Sequence, residues 1–144
     1  MTRDVARAIH GTSAVAAGIA AILSPIPLLD ELILFPAYGL LAKRIGKAHG
    51  LAWSSLPLRP IARTAFNGLV ARAGLNLLVA YIPGVAAVAN AASAVALTEL
   101  FGRWVDETCD APADARPLGV KDIASRLREM ASQVAGAGAS ANPA

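Results

Sequence analysis

The sequence predicts an all-α protein, and three observations carry this prediction. Apolar residues make up 56% of the 144 residues and aromatic residues only 5%, with 33 alanines and 18 leucines. Alanine has the highest helix propensity, and strands are poor in it. Proline and glycine divide the chain into a few long segments. Charged residues, at 16%, are fewer than the roughly 25% of an average domain, so an ordinary charged-surface enzyme is disfavoured and a disordered chain is excluded.

Proline and glycine also set the expected helix boundaries. Ser24-Pro25-Ile26-Pro27 ends the first helix, and Pro83-Gly84 separates the third from the fourth. Gly50 is placed as the C-terminal stop of the second helix, and Pro36 is expected to kink or divide that helix. The four predicted helices cover residues 3–23, 28–49, 60–82 and 85–109, with a linker over residues 51–58.

A weak internal repeat organises these four helices. Ile26-Pro27 and Ile82-Pro83 each separate two long Ala/Leu-rich helices. Two helical hairpins of this kind form a four-helix bundle. The predicted structural corners consist of Ser24, Pro25, Ile26, Pro27 and Asp30 in the first hairpin, and Ile82, Pro83 and Gly84 in the second.

The C-terminal part predicts one further element. An apolar seam at helical spacing runs through Val120, Ile123, Leu127, Met130 and Val134. We interpret it as an amphipathic helix whose seam docks on a partner surface, either this chain's own bundle or a second protein. The predicted organisation is a hydrophobic helical domain over 1–110, a linker over 111–119, the amphipathic helix over 120–135 and a disordered tail over 136–144.

Two long stretches carry no charge, over residues 8–29 and 73–98. Their helices are apolar on every side, and such a helix must be covered on every side. The cover is either lipid or protein. Pro83-Gly84 divides the second stretch into arms of roughly 15 and 21 Å, shorter than a hydrocarbon core of about 30 Å. Re-entrant hairpins therefore fit better than spanning helices, and Trp53 and Trp104 are candidate interface anchors or core fillers.

A basic segment lies between these stretches. It contains six basic residues and no acidic one: Lys43, Arg44, Lys47, Arg59, Arg63 and Arg72. Such a segment attracts an anionic lipid surface, or is a solvated connector; no binding motif supports nucleic acid. The membrane-facing candidates are Lys43, Arg44, Lys47, Arg59 and Arg63, which the positive-inside rule places in the cytoplasm.

Residues for chemistry are scarce. No phosphate-binding loop is present, so neither nucleotide binding nor hydrolysis is expected. His10 and His49 lie far apart, which disfavours a metal site, and Cys109 lies among acids that disfavour a thiolate. Asp30 and Glu31 are interpreted as helix-start acids on the macrodipole. The sequence thus predicts no catalytic residue, no cofactor and no metal.

The residues around the two corners carry a family resemblance over about residues 12–107. Ser24 to Asp30 spells Ser-Pro-Ile-Pro-Leu-Leu-Asp, and Ile82 to Val85 spells Ile-Pro-Gly-Val before an Ala-rich helix. This pattern resembles the YcjF-type, GTPase-associated helical domain of unknown function, which occurs in bacterial membrane proteins. The resemblance implies membrane association and service to a GTPase in trans. It implies no catalytic residue.

The expected function is a non-catalytic, membrane-associated helical scaffold or GTPase-partner module. Its expected partners are a membrane lipid surface, a GTPase in trans and further copies of the chain, without nucleic acid. Its expected location is the cytoplasmic side of the bacterial inner membrane. The alternative is a soluble, cytoplasmic helical interaction protein that covers its apolar faces by self-association.

Overall fold

The computed structural model describes residues 1–23, 29–79 and 86–129, except the side chains of residues 29–30, 75–76, 78–79 and 86–87. Every regular element in these ranges is helical, which confirms the all-α prediction. The helices are α1 (Arg3–Leu23), α2 (Leu29–Ala48), α3 (Leu58–Val79), α4 (Ala86–Asp110) and α5 (residues 120–129). Short 3₁₀ turns occur at Trp53–Ser55 and Pro112–Asp114.

Several predicted features lie outside the described ranges. Asp30 lies in the first turn of α2, but its side chain is not described. The tail over 136–144 is also outside these ranges. The same is true of Ser24, Pro25, Ile26, Pro27, Ile82, Pro83, Gly84, Met130 and Val134.

Helix α2 shows how glycine and proline act in this chain. Gly50 has a positive φ of 73°, its amide donates to the carbonyl of Lys47, and the Leu51 amide donates to the carbonyl of Gly46. This is the Schellman arrangement that ends helices at glycine. Of the two outcomes predicted for Pro36, division does not occur, because α2 continues through it, and a kink stays a prediction. Pro36 is exposed, so the missing N–H group lies where α2 has no packing partner.

Helix α4 packs against each of α1, α2 and α3. Its start lies beside the end of α1, because the Asn90 side chain donates to the Ala20 carbonyl at 2.8 Å. Its later part lies beside the start of α1, where Gly102 meets Ile9. The same reversal relates α3 to α4, so α1 and α3 both run antiparallel to α4. We call the end where α1 and α3 finish and α2 and α4 begin the corner end, and the opposite end the charged end.

The core is continuous through the bundle. Three aromatic rings pack against one another inside it in tilted orientations. The ring centroids of Tyr38 and Phe101 are 4.9 Å apart, and those of Phe101 and Trp104 are 6.1 Å apart. Trp104 is therefore a core filler rather than an interface anchor, whereas Trp53 is 44% exposed.

The fifth helix returns to the bundle along α3. The Asn67 amide donates to the Leu118 carbonyl at 2.7 Å, and the Leu118 amide donates to the Thr64 hydroxyl at 3.0 Å. Of the predicted seam, Ile123 and Leu127 are buried in the core, while Val120 is 37% exposed. The seam thus docks on this chain's own bundle, over the part that the structure describes.

Close packing of α1 on α4 requires a glycine at position 102. A Cβ there would lie 2.7 Å from Cγ1 of Ile9, and Ile9 is buried and β-branched, so it cannot move away easily. We expect Gly102→Ala to destabilise the fold by about 1–3 kcal/mol through overpacking. Gly11 meets nothing within 4 Å. Gly11→Ala should instead stabilise α1 by about 0.5–1 kcal/mol. Urea unfolding followed by circular dichroism checks both; equal effects of one sign would contradict this packing.

Candidate functional site

Charge is distributed along the bundle axis rather than around it. Residues 11–23 of α1, 32–42 of α2 and 86–98 of α4 contain no charged residue, and α3 has only Arg72 after Arg63. Apart from Asp30 and Glu31 at the start of α2, the other charges of the four long helices lie towards the charged end. A conventional helical bundle has charged residues along its entire outer surface. In the corner half, the exposed side chains that the structure describes include no charged one.

Large apolar side chains are exposed on this uncharged half. They occur on every one of the four long helices, and we call them the collar: Val15, Ile22, Leu32, Ile33, Phe35, Leu40, Phe66, Val70, Leu77 and Val88. Ile22 is 78% exposed, Leu32 72% and Val88 70%. Scattered apolar residues are ordinary on a surface, but a contiguous apolar region marks an interaction site.

Inside the collar lies a buried ionic cluster, which we call the Arg72 cluster. The Arg72 side chain is fully buried and its Nη1 donates to Oε2 of Glu31 in the first turn of α2. Nε donates to the Ser93 hydroxyl at 3.2 Å, and Nη2 donates to the side-chain and main-chain oxygens of Asn90. Since Asn90 also donates to the Ala20 carbonyl, the cluster joins all four long helices.

The structure corrects the sequence interpretation of these residues in two places. The basic segment of the sequence includes Arg72, but this side chain is buried, because α3 turns it away from the side that carries Arg59 and Arg63. The interpretation of Glu31 as a helix-start acid gives its place correctly, in the first turn of α2, but misses that its carboxylate is the counter-ion of Arg72. A lone charge within an uncharged helical segment, on the face opposite the other charges, is the signal that could have found Arg72.

The remaining basic candidates lie on the surface. Lys43, Arg44 and Lys47 are exposed on the last turns of α2, and Arg59 and Arg63 are exposed on the first turns of α3. Because the two helices run in opposite directions, these turns both lie towards the charged end. The structure thus places all five candidates next to the collar, at its border with the charged end.

The two histidines do not form nucleophile–base pairs. His10 Nδ1 and the Ser13 hydroxyl both lie within hydrogen-bond distance of the same oxygen of Glu99, at 2.8 and 2.9 Å. The carboxylate therefore lies between hydroxyl and imidazole, whereas nucleophile activation requires these two in direct contact. Among the described residues, no group of three His, Cys, Asp or Glu side chains is arranged to hold a metal ion.

At the charged end, His49 joins α2 to α4. Its Nε2 lies 2.8 Å from Oδ1 of Asp106, and its Nδ1 lies 3.4 Å from Oδ1 of Asp110. Cys109 is buried nearby on α4. Burial raises the pKa of its thiol from 9.0 to about 11, with further contributions from the Asp106 and Asp110 carboxylates. Cys109 is accordingly a structural residue and a poor nucleophile at neutral pH.

Breaking the Arg72 cluster should unfold the corner end. Glu31→Gln leaves a buried guanidinium without its counter-ion, and we expect a decrease of about 3–5 kcal/mol in unfolding free energy. Arg72→Met leaves the carboxylate and should cost a similar amount. The double variant removes both charges and should be more stable than either single variant. Urea unfolding of the four proteins measures this; single-variant decreases below about 1 kcal/mol would contradict a stabilising cluster.

The thiol of Cys109 should label slowly and only at high pH. Its folded-state pKa lies above its ordinary value, so the protonated thiol prevails up to about pH 11 and the thiolate forms above it. We expect iodoacetamide to modify the folded protein far more slowly than the urea-unfolded protein at pH 8. Mass spectrometry of timed samples measures the two rates. Equal rates would mean that the thiol is neither buried nor perturbed.

Membrane-span criteria and known proteins give two further findings. Within the described ranges, α1 is the one helix long and apolar enough to cross a membrane by length and composition, a test that soluble core helices and signal sequences also pass. The chain matches no family model, no curated protein and no solved structure.

Proposed function

We propose that this protein is a non-catalytic, membrane-associated helical module whose corner end inserts into one leaflet of a bilayer. The observation that carries the proposal is the reversed arrangement of the corner half. There, the exposed side chains of the collar are apolar, while Arg72 and Glu31 face each other inside. Charges within a bilayer are tolerated when they face the bundle interior and pair with one another.

The height of the collar supports insertion from one side. The uncharged sections of α1, α2 and α4 have 13, 11 and 13 residues, which is roughly 17–20 Å along the axis, and the matching section of α3 contains only the buried Arg72. A spanning helix must cover a hydrocarbon core of about 30 Å. The collar is shorter than that, so the corner end enters the bilayer without crossing it, and the charged end stays in water. This agrees with the re-entrant hairpins that the sequence predicts.

Service to a GTPase in trans is a further part of the proposal, and it rests on the sequence resemblance alone. The location follows from the same resemblance together with the basic residues beside the collar: the cytoplasmic side of a bacterial inner membrane. The alternative function is a soluble protein that covers its collar with further copies of itself. Self-association would bury the same exposed collar side chains, and the experiments below distinguish it from membrane insertion.

Charges placed in the collar should abolish membrane binding without unfolding the protein. Ile22 and Val88 are among the most exposed collar residues, so Ile22→Glu/Val88→Glu removes little packing and should change stability by less than about 1 kcal/mol. In hydrocarbon each acid costs up to about 3 kcal/mol. We therefore expect partition onto vesicles, measured by flotation, to fall about 100-fold or more.

The control variant is Ala111→Glu/Ala113→Glu. It adds two carboxylates at exposed residues after the end of α4, outside the collar, and should float as the wild type does. Light scattering in detergent-free buffer tests the alternative. A wild-type protein that does not float but forms oligomers, dispersed by the collar variant, would replace membrane association with self-association.

A further inference from the structure

Two neighbouring helices, α2 and α3, present outer surfaces of the same design. On α2 an exposed stripe at helical spacing runs through Leu32, Pro36, Leu40, Lys43 and Lys47. On α3 a second exposed stripe runs through Arg59, Arg63, Phe66, Val70 and Leu77. Steps of three, four and seven residues keep each set on one side of its helix.

The two stripes have the same polarity along the bundle although their helices run in opposite directions. The α2 stripe begins apolar and ends basic, while the α3 stripe begins basic and ends apolar. Because α2 begins and α3 finishes at the corner end, both stripes are apolar there and basic towards the charged end. The sequence of one helix does not determine that of the other. This agreement therefore indicates one surface rather than two.

Beyond Asp30 and Glu31 in its first turn, α2 contains no acid, and α3 contains none. Between residues 32 and 98 the chain contains no aspartate or glutamate. On the other side of the bundle, the charged ends of α1 and α4 mix three arginines with acids: Asp4, Glu99, Asp106, Glu107 and Asp110. The fifth helix, which lies along α3, adds three basic and two acidic residues, so the side of α2 and α3 remains the positive side. It also carries seven of the ten collar residues.

The dimensions of the stripes match one leaflet of a bilayer. On each helix the stripe changes from apolar to basic side chains within one turn, between Leu40 and Lys43 on α2 and between Phe66 and Arg63 on α3. The basic parts of the two stripes, 43–47 and 59–63, are each about 6 Å tall. The headgroup layer on each side of the hydrocarbon core is roughly 5–8 Å thick. Basic residues at that depth contact lipid phosphates.

We infer that the paired stripes of α2 and α3 are a docking face for an anionic phospholipid bilayer, so that the bundle inserts tilted towards this side. The aromatic and aliphatic residues of the face enter the hydrocarbon, and its lysines and arginines bind lipid phosphates. The inference rests on the proposed function and adds to it the face and the class of lipid. Charge complementarity selects this occupant, because a second copy of the chain would bring the same positive charge to the contact.

The test compares two triple variants on two kinds of vesicle. Lys43→Gln/Lys47→Gln/Arg63→Gln removes three charges from the docking face. Arg3→Gln/Arg7→Gln/Arg103→Gln removes three exposed charges from α1 and α4 and is the control. Flotation is measured with neutral phosphatidylcholine vesicles and with vesicles that contain about 30% anionic phosphatidylglycerol, which attracts polybasic surfaces. Removal of each basic side chain from the headgroup layer should weaken binding about fivefold, so the face variant should bind anionic vesicles about 100-fold more weakly and the control should change far less.

A second measurement gives the orientation. Leu32→Cys and Lys47→Cys place thiols at the two ends of the α2 stripe, and buried Cys109 should not compete for a membrane-impermeant maleimide. Anionic vesicles should protect the thiol at position 32 and leave the thiol at position 47 reactive.

The outcomes separate this inference from the proposed function. Equal weakening in both triple variants would overturn the docking face while corner-end insertion stands. Wild-type protein that floats equally on both vesicles would do the same. Equal protection at positions 32 and 47 would overturn corner-end insertion and the docking face together. Absence of flotation on either vesicle would overturn both. Displacement from anionic vesicles by a single-stranded RNA at comparable concentration would identify nucleic acid as the occupant and also overturn the inference.

Discussion

The fold depends on one buried cation and the groups that surround it. A guanidinium held out of water is stable only if its donors are occupied and its charge is balanced. Arg72 meets that requirement with partners on α2 and α4, and Asn90 extends the network to α1. These contacts therefore fix the axial position of each helix relative to the others. Ala-rich helices alone pack in many registers that differ little in energy, so the polar cluster selects one of them.

A consequence is that the corner half is reversed relative to an ordinary soluble bundle. Its interior contains the only two charges of its described side chains, and its exterior presents ten large apolar residues. The charged half has the ordinary arrangement, with Phe101 and Trp104 packed inside and lysines and arginines outside. One polypeptide thus contains two kinds of surface, divided at about the level of Lys43 and Arg63. Such a boundary is expected where a protein meets two solvents.

The sequence predicts the elements well and the ionic cluster poorly, for a physical reason. Local signals define α1, the stop at Gly50 and the seam residues Ile123 and Leu127, because caps and periodicity act within a few residues. The pair of Arg72 and Glu31 joins positions 41 residues apart. No local pattern encodes that contact, since it depends on how α2 and α3 pack. Pro36 does not divide α2, because it lies on the exposed side of the helix while Leu34 and Tyr38 on either side of it are buried in the core.

The pairing inside the collar also bears on what covers the collar outside. A surface that binds a second protein gains from charged or polar groups that specify the partner, whereas a lipid surface makes no directional contacts with its apolar part. The collar offers apolar side chains, and in its described side chains the two charges are turned inward towards each other. Specificity is left to the basic residues at its border. This arrangement supports the lipid cover that we propose over a protein one.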